Sequence, residues 1–287
     1  MLIKTSGITE IGLKREGNED AFSVTDSLGL YVVADGMGGH LAGEVASKIA
    51  VEMINKSFRR WEINKTPQNE LFGGLDHSLS LSGNYVLSSI KLANRVIHEL
   101  AKENEEYHGM GTTITTILVR PNLIIAANVG DSRIYMIRDG QIERLSNDHT
   151  IVAEQVEMGL MNEEEAATSP LKHVLTRNLG STEEVEPDVF EIEPSTYDRF
   201  ILCTDGLTDL VSEEEILELA KDEENPGILC RRLVGRALDR GAHDNTTIVS
   251  VFISGFDKRK NGKIRNIGLS LADYLINIQK TIKKIIP

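Results

Sequence analysis

Seven apolar runs of five to seven residues, punctuated by glycine, asparagine and aspartate, set the grain of this chain: 30–34, 113–119, 123–129, 133–137, 141–145, 200–204 and 246–252. Runs that short between turn-forming residues read as β-strands. Asp139-Gly140 stands between two of them as a hairpin turn, which predicts an antiparallel meander over 123–145. Two longer stretches carry helical spacing instead. Val45, Ile49 and Met53 line one face of 41–60, and Leu87, Ile90, Ile97 and Leu100 one face of 86–107. Ser212-Glu213-Glu214-Glu215 has the form of a capping box, and Pro226 opens a further helix that Gly241 stops. Antiparallel strands with helices grouped in sequence predict a layered α+β domain, because a doubly wound parallel sheet alternates strand and helix. The Gly/Ser/Asn-rich stretch 62–84 reads as a surface insertion. The Glu-rich stretch 149–183 reads as an appended flap.

Composition narrows the class of partner. With 40% hydrophobic and 26% charged residues, the 287-residue chain sits in the ordinary globular range. Its formal charge of −13 argues against nucleic acid as a ligand. The sign is uneven: 256–287 holds eight Lys/Arg and two Asp, a balance of +6, which leaves −19 on 1–255. We therefore divide the chain into a body, 1–255, and a basic tail, 256–287. On a helix Ile264, Ile267, Leu271, Ile278 and Ile282 form an apolar stripe beside Lys280, Lys283 and Lys284. Such a tail either folds back on the acidic body or contacts a membrane surface or a partner. No apolar run reaches the roughly 20 residues of a membrane span, and Met1–Thr5 does not begin a signal peptide. A cytoplasmic protein is expected. The two cysteines agree, with Cys203 a buried reduced thiol inside an apolar run.

Two of the predicted strands end alike, in Ala34-Asp35-Gly36 and Thr204-Asp205-Gly206. Each projects a carboxylate from the end of a buried strand, and the glycine lets the backbone turn there. Asp244 stands just before the strand at 246–252, so antiparallel pairing of that strand with 200–204 brings Asp205 and Asp244 together. Carboxylates so gathered stay ionised only beside a cation. Oxygen donors suit Mg2+ or Mn2+; no Cys/His spacing supports zinc and no EF-hand loop supports calcium. A pair of such ions about 3.5–4 Å apart would activate water and clamp a phosphoryl group. Arg15-Glu16-Gly17-Asn18-Glu19-Asp20 adds a guanidinium whose planar fork fits phosphate, and Gly130-Asp131-Ser132-Arg133 adds another acid at a tight turn.

Taken in order, Arg15–Asp20, Val33-Ala34-Asp35-Gly36-Met37-Gly38-Gly39-His40, Gly111-Thr112-Thr113, Asn128-Val129-Gly130-Asp131-Ser132-Arg133, Cys203-Thr204-Asp205-Gly206-Leu207 and His243-Asp244-Asn245 resemble the motifs of the metal-dependent serine/threonine protein phosphatases of the PPM (type 2C) family, in its compact bacterial form. The resemblance spans about 5–254. It implies a four-layer α-β-β-α sandwich, two mainly antiparallel sheets flanked by helices, with a binuclear Mn2+ or Mg2+ centre at one end. It implies that Asp35 bridges both ions, that Asp205 and Asp244 hold the first, and that the Gly36 carbonyl holds the second, supported by Glu19 and Asp20. Arg15 would grip the phosphate, Asp131 with Asp205 would hold a weaker third ion, and Asn245 would support Asp244. The implied reaction is hydrolysis of phosphoserine and phosphothreonine in proteins by a metal-activated water, reversing a cognate Ser/Thr kinase. Where many eukaryotic members carry a histidine after Asp-Gly, this chain has Met37, and His40 follows three residues on.

Gly36-Met37-Gly38-Gly39 is not a dinucleotide loop, since residue 41 is leucine and no βαβ unit surrounds it. Cys230 and Arg236 have the spacing of a cysteine-dependent phosphatase loop, but lie inside the helix that Pro226 opens, where the amides are already bonded. A catalytically weak phosphoprotein-binding module on the same fold is the non-enzymatic alternative, and the presence of Asp35, Asp205 and Asp244 weighs against it.

Overall fold

A computed structural model describes residues 1–38 and 41–255. His40 and the amphipathic reading of 256–287 lie outside the described residues. In chain order the elements are β1 (Leu2–Glu10), β2 (Ala21–Thr25), β3 (Leu30–Ala34), β4 (Gly36–Met37), α1 (Leu41–Asn64), α2 (Leu81–Glu103), β5 (Gly111–Thr112), β6 (Ile114–Arg120), β7 (Leu123–Val129), β8 (Arg133–Arg138), β9 (Gln141–Arg144), α3 (Ile151–Glu157), α4 (Glu163–Thr168), β10 (Asp188–Ile192), β11 (Arg199–Cys203), α5 (Asp205–Thr208), α6 (Glu213–Lys221), α7 (Pro226–Asp239) and β12 (Thr246–Gly255). Among the described residues no helix is long and apolar enough to cross a membrane.

Ten of the strands form two five-stranded sheets, ordered β1-β12-β11-β8-β9 and β10-β7-β6-β3-β2, and β4 pairs with β5 in a separate two-stranded ladder, with antiparallel pairing throughout. Alternation decides what each strand buries. In β3, Leu30, Val32 and Ala34 join Ile54, Phe58, Ile90 and Ile97 of α1 and α2 in one core, while Tyr31 and Val33, also fully buried, lie on the opposite face. In the other sheet Ile201 and Cys203 pack with Ile216, Leu229 and Leu233 of α6 and α7. The order is therefore helices, sheet, sheet, helices, the expected four-layer α+β sandwich. The hairpin at Asp139-Gly140 has both residues at positive φ, +51° and +76°, as a type I′ turn requires. Cys203 is fully buried, which pushes its thiol up to about 12. Cys230 is buried within α7, its thiol donating to Ser250 Oγ at 3.2 Å.

Some boundaries differ from expectation. α1 continues to Asn64 and α2 begins at Leu81, so the connection expected over 62–84 is shorter. Ser80 caps α2 by accepting from Gly83 N–H, and Asn84 pins the loop through Asp76. Strands β1, β2 and β10 are additional. β1 carries glycine at its centre because Phe22 of β2 lies across it: a Cβ on Gly7 would come within 2.3 Å of that ring.

Candidate active site

The carboxylates are fixed through their backbones. Asp35 follows β3, and its N–H donates to Thr113 Oγ1 at 3.0 Å while its carbonyl accepts from Thr113 N–H and Thr112 Oγ1, both at 2.8 Å. Thr113 Oγ1 also shares a 2.7 Å hydrogen bond with Ser132 Oγ, which ties Asp35 to the turn carrying Asp131. Gly130 in that turn sits at φ +103°, and a Cβ there would meet Thr113 Cγ2 at 2.6 Å, so the turn needs glycine on both counts. Asp205 opens α5 directly after β11. Cys203 is opposite Ile248 in the antiparallel β11–β12 pair, and Thr204 N–H donates to Thr247 O at 3.1 Å. The end of β11 and the start of β12 thus share one sheet edge, which brings Asp205 and Asp244 to the same side.

Segment 11–20 wraps this edge and is held by Asn245. Its Oδ1 accepts from Glu19 N–H at 2.9 Å, and its Nδ2 donates to Ile11 O at 2.9 Å and Gly17 O at 3.0 Å. Arg15 Nη2 donates to Asp244 Oδ2 at 2.7 Å from a side chain that is 52% exposed. Asp20 turns inward, 6% exposed, and accepts from Thr204 Oγ1 at 3.0 Å. Gly36 N–H donates to Glu19 O at 3.2 Å, and the Glu19 carboxylate lies against Gly43 in the first turn of α1. All the predicted residues, Arg15, Glu19, Asp20, Asp35, Gly36, Asp131, Asp205 and Asp244, belong to this one end of the sandwich.

The crowding shows in their acidities. Burial, then the charges of Asp20, Asp205, Asp131 and Asp244, hold Asp35 well above the usual carboxylate range. Burial likewise pushes Asp20 and Asp131 up to about 7, with Asp205 adding to both. Asp205 moves the other way: burial would raise it, but His173 Nδ1, 3.2 Å from its Oδ2, overrides that and lowers it.

His173 is a residue that motif reading missed, together with Lys172 and Asp209. His173 Nε2, Lys172 Nζ and His243 Nε2 all approach Asp209 Oδ2, at 3.3, 3.1 and 3.3 Å. The stretch after α4 therefore folds back onto α5 beside Asp205. The signal in sequence was faint, a Lys-His pair in an otherwise acidic region.

Asp131, His173 and Asp205 each offer a donor atom, and these lie within 4.8 Å of one another. Asp20 Oδ1 and Asp205 Oδ1 are buried without a hydrogen-bond partner among the described residues. Orphaned carboxylate oxygens inside a cluster of like charge fit a divalent cation. The donor set, mostly hard oxygen, fits Mg2+ or Mn2+.

The chain is similar to known proteins along most of its length. The family model described as protein phosphatase 2C matches residues 8–246. The serine/threonine phosphatase stp of Listeria monocytogenes is 32% identical over 246 residues, 85% of this chain and 93% of its own length. Among solved structures, the Mycobacterium tuberculosis serine/threonine phosphatase PstP/Ppp superimposes with a TM-score of 0.77 at 31% identity, covering 89% of this chain and all of that one. A PstP catalytic domain in complex with two manganese ions superimposes with a TM-score of 0.73 at 32% identity, covering 88% and 99%. A match across most of the chain, the two antiparallel sheets between helix layers, and acids gathered where β3, β11 and β12 meet lead to one conclusion: the chain belongs to the protein phosphatase 2C family.

Proposed function

We propose that this protein hydrolyses phosphoserine and phosphothreonine in proteins, reversing a Ser/Thr kinase in the cytoplasm. The observation that carries the reading is the gathering of Asp20, Asp35, Asp131, Asp205 and Asp244 beside the half-exposed Arg15, with two buried carboxylate oxygens lacking a partner among the described residues. Asp35, Asp205, Asp244 and the Gly36 carbonyl would hold a pair of Mn2+ or Mg2+ ions. Asp131 with Asp205 would hold a weaker third, and Glu19 and Asp20 would support them. When bound, the pair supplies an activated water and neutralises phosphoryl charge. The chain's own groups do the rest. Arg15 reaches solvent with a planar fork matched to two phosphoryl oxygens. Thr112 and Thr113 fix the Asp35 backbone so that no reorganisation is needed as charge develops. Lys172 and His173 place positive and hydrogen-bonding groups against Asp209 and Asp205. Residues 1–255 form the catalytic domain in this reading, with 149–183 as a flap at its mouth.

Hydrolysis of a small aryl phosphate separates the enzyme from a binding module. Turnover should require Mn2+ or Mg2+, and Asp205→Asn should lower kcat by roughly 10³-fold. Purified protein without metal-dependent turnover, or with turnover that survives Asp205→Asn, defeats the proposal.

A further inference from the structure

Asp131 stands on the turn between β7 and β8, not on a strand or helix. The turn is held from below by a residue outside the acidic cluster, His149. Its ring is 1% exposed and both nitrogens are engaged. Nδ1 lies 3.1 Å from Gly130 N; a backbone amide can only donate, so Nδ1 is the acceptor and Nε2 carries the ring hydrogen. Nε2–H donates to Asp188 Oδ2 at 3.2 Å, and Asp188 is oriented by Arg177 Nη1 at 3.0 Å. The His149 backbone closes the same loop: its N–H donates to Gly130 O at 3.0 Å, and its carbonyl accepts from Thr176 N–H at 2.8 Å. The following residue, Thr150, caps α3 by accepting from Ala153 N–H at 3.2 Å.

The buried ring therefore joins the Asp131 turn to β10, and the His149 backbone joins the same turn to Thr176. From Gly130 the connection continues through Ser132 Oγ and Thr113 Oγ1 to the Asp35 amide. Imidazole suits the post because it offers an acceptor and a donor on opposite edges of a rigid ring. We infer that His149 is the positioning residue for the cation site at Asp131: by accepting the Gly130 amide it fixes the turn, and so sets how strongly that carboxylate takes a metal. This rests on Asp131 serving as a cation ligand. Groups that orient metal ligands typically contribute 10- to 100-fold in affinity.

The test is Mn2+ titration calorimetry on the full chain, with amide hydrogen exchange on the metal-free protein. Asp131→Asn should remove one weak binding event and so identify it. His149→Gln, whose amide reaches toward Asp188 but leaves the Gly130 N–H without its acceptor, should weaken that same event by roughly 10- to 100-fold and leave the tighter binding in place. It should also speed exchange at Gly130 with no metal present. His149→Asn, which puts an oxygen at the Nδ1 position but loses the Asp188 contact, should restore most of both. If His149→Gln does not fold, Asp188→Ala serves, since it strips the partner from Nε2 and should weaken the same event to a smaller extent. Folded His149 or Asp188 variants whose weak Mn2+ event matches wild type overturn the inference while the Asp131 site stands. An isotherm unchanged by Asp131→Asn overturns the site and the inference together.

Discussion

Asn245 shows how much of a charged site can depend on a residue that carries no charge. It is 5% exposed, and its side chain makes three hydrogen bonds to the backbone of segment 11–19, while its own N–H donates to Asp244 Oδ1 at 2.8 Å. The carrier of Arg15 and the rotamer of Asp244 are thus set by one residue. Asn245→Ala leaves one donor, the Glu19 N–H, and two acceptors, the Ile11 and Gly17 carbonyls, to be satisfied by water, and should cost about 2–3 kcal/mol in urea unfolding. It should also reduce kcat/KM on an aryl phosphate more than Asn245→Asp, which keeps the acceptor for Glu19; equal losses would mean that the Glu19 contact is incidental. Asp35, Asp205 and Asp244 were legible in the sequence because each adjoins a glycine or a strand that marks its own place. The reach of Asn245 across more than 220 residues to Ile11 and Gly17 leaves no local trace, and His173 left only a faint one for the same reason. Its partner Asp205 is brought to it only when the flap folds back.

Among the elements, legibility tracked burial, except at the exposed edge strand β9, which the Asp139-Gly140 turn announces. The central strands β3, β6, β7, β11 and β12 are buried along nearly their whole length and declare themselves as apolar runs. β1, β2 and β10 sit at sheet edges with every residue only partly buried or exposed, and their composition is correspondingly mixed. Helix starts were readable because capping is local. In α6 the expected box is present: Ser212 Oγ accepts from Glu215 N–H at 3.4 Å, and Glu215 Oε2 accepts from Ser212 N–H at 3.3 Å. What the pattern could not show is that Arg240 at the end of α7 donates to the same carboxylate, at 2.6 and 2.7 Å, so the cap also fastens two helices together. The Arg240 hydrogen bonds, then the Ser212 amide, lower Glu215 from 4.5 to about 2. A carboxylate depressed by folding stabilises above its unfolded value and loses that contribution as pH falls through the folded one. Glu215→Gln should therefore lower the melting temperature by roughly 1–3 °C at neutral pH, as suits a solvent-facing pair. The gap to wild type should close as pH falls from about 4.5 toward 2. A gap that is constant with pH would assign the effect to the cap geometry and not to the charge.

At the scale of the molecule, the sandwich gathers like charges in the one place where its two sheets and segment 11–20 meet, at a cost the rest of the fold must carry. Burial and mutual repulsion hold Asp20, Asp35 and Asp131 above their ordinary range, so the metal-free body is strained at its functional end. The −19 of residues 1–255 is consequently of two kinds: a solvated surface, and a few carboxylates whose charge awaits a cation. If that is the design, stability and metal binding must be linked. At a Mn2+ concentration 100-fold above its dissociation constant the native state gains about 2.7 kcal/mol, or roughly 5–10 °C in melting temperature for a domain of this size. Replacing one of the repelling acids should have the opposite pair of effects. Asp35→Asn keeps the shape of the side chain and removes its charge. It should melt higher than wild type in chelator and gain little or nothing from Mn2+, so the order of the two proteins reverses between the metal-free and metal-loaded conditions. Thermal denaturation of both in chelator and in excess Mn2+ measures this directly. A variant that melts below wild type without metal would show that the acids are reconciled by the protein alone, and one that still gains the full Mn2+ increment would place the ions away from Asp35.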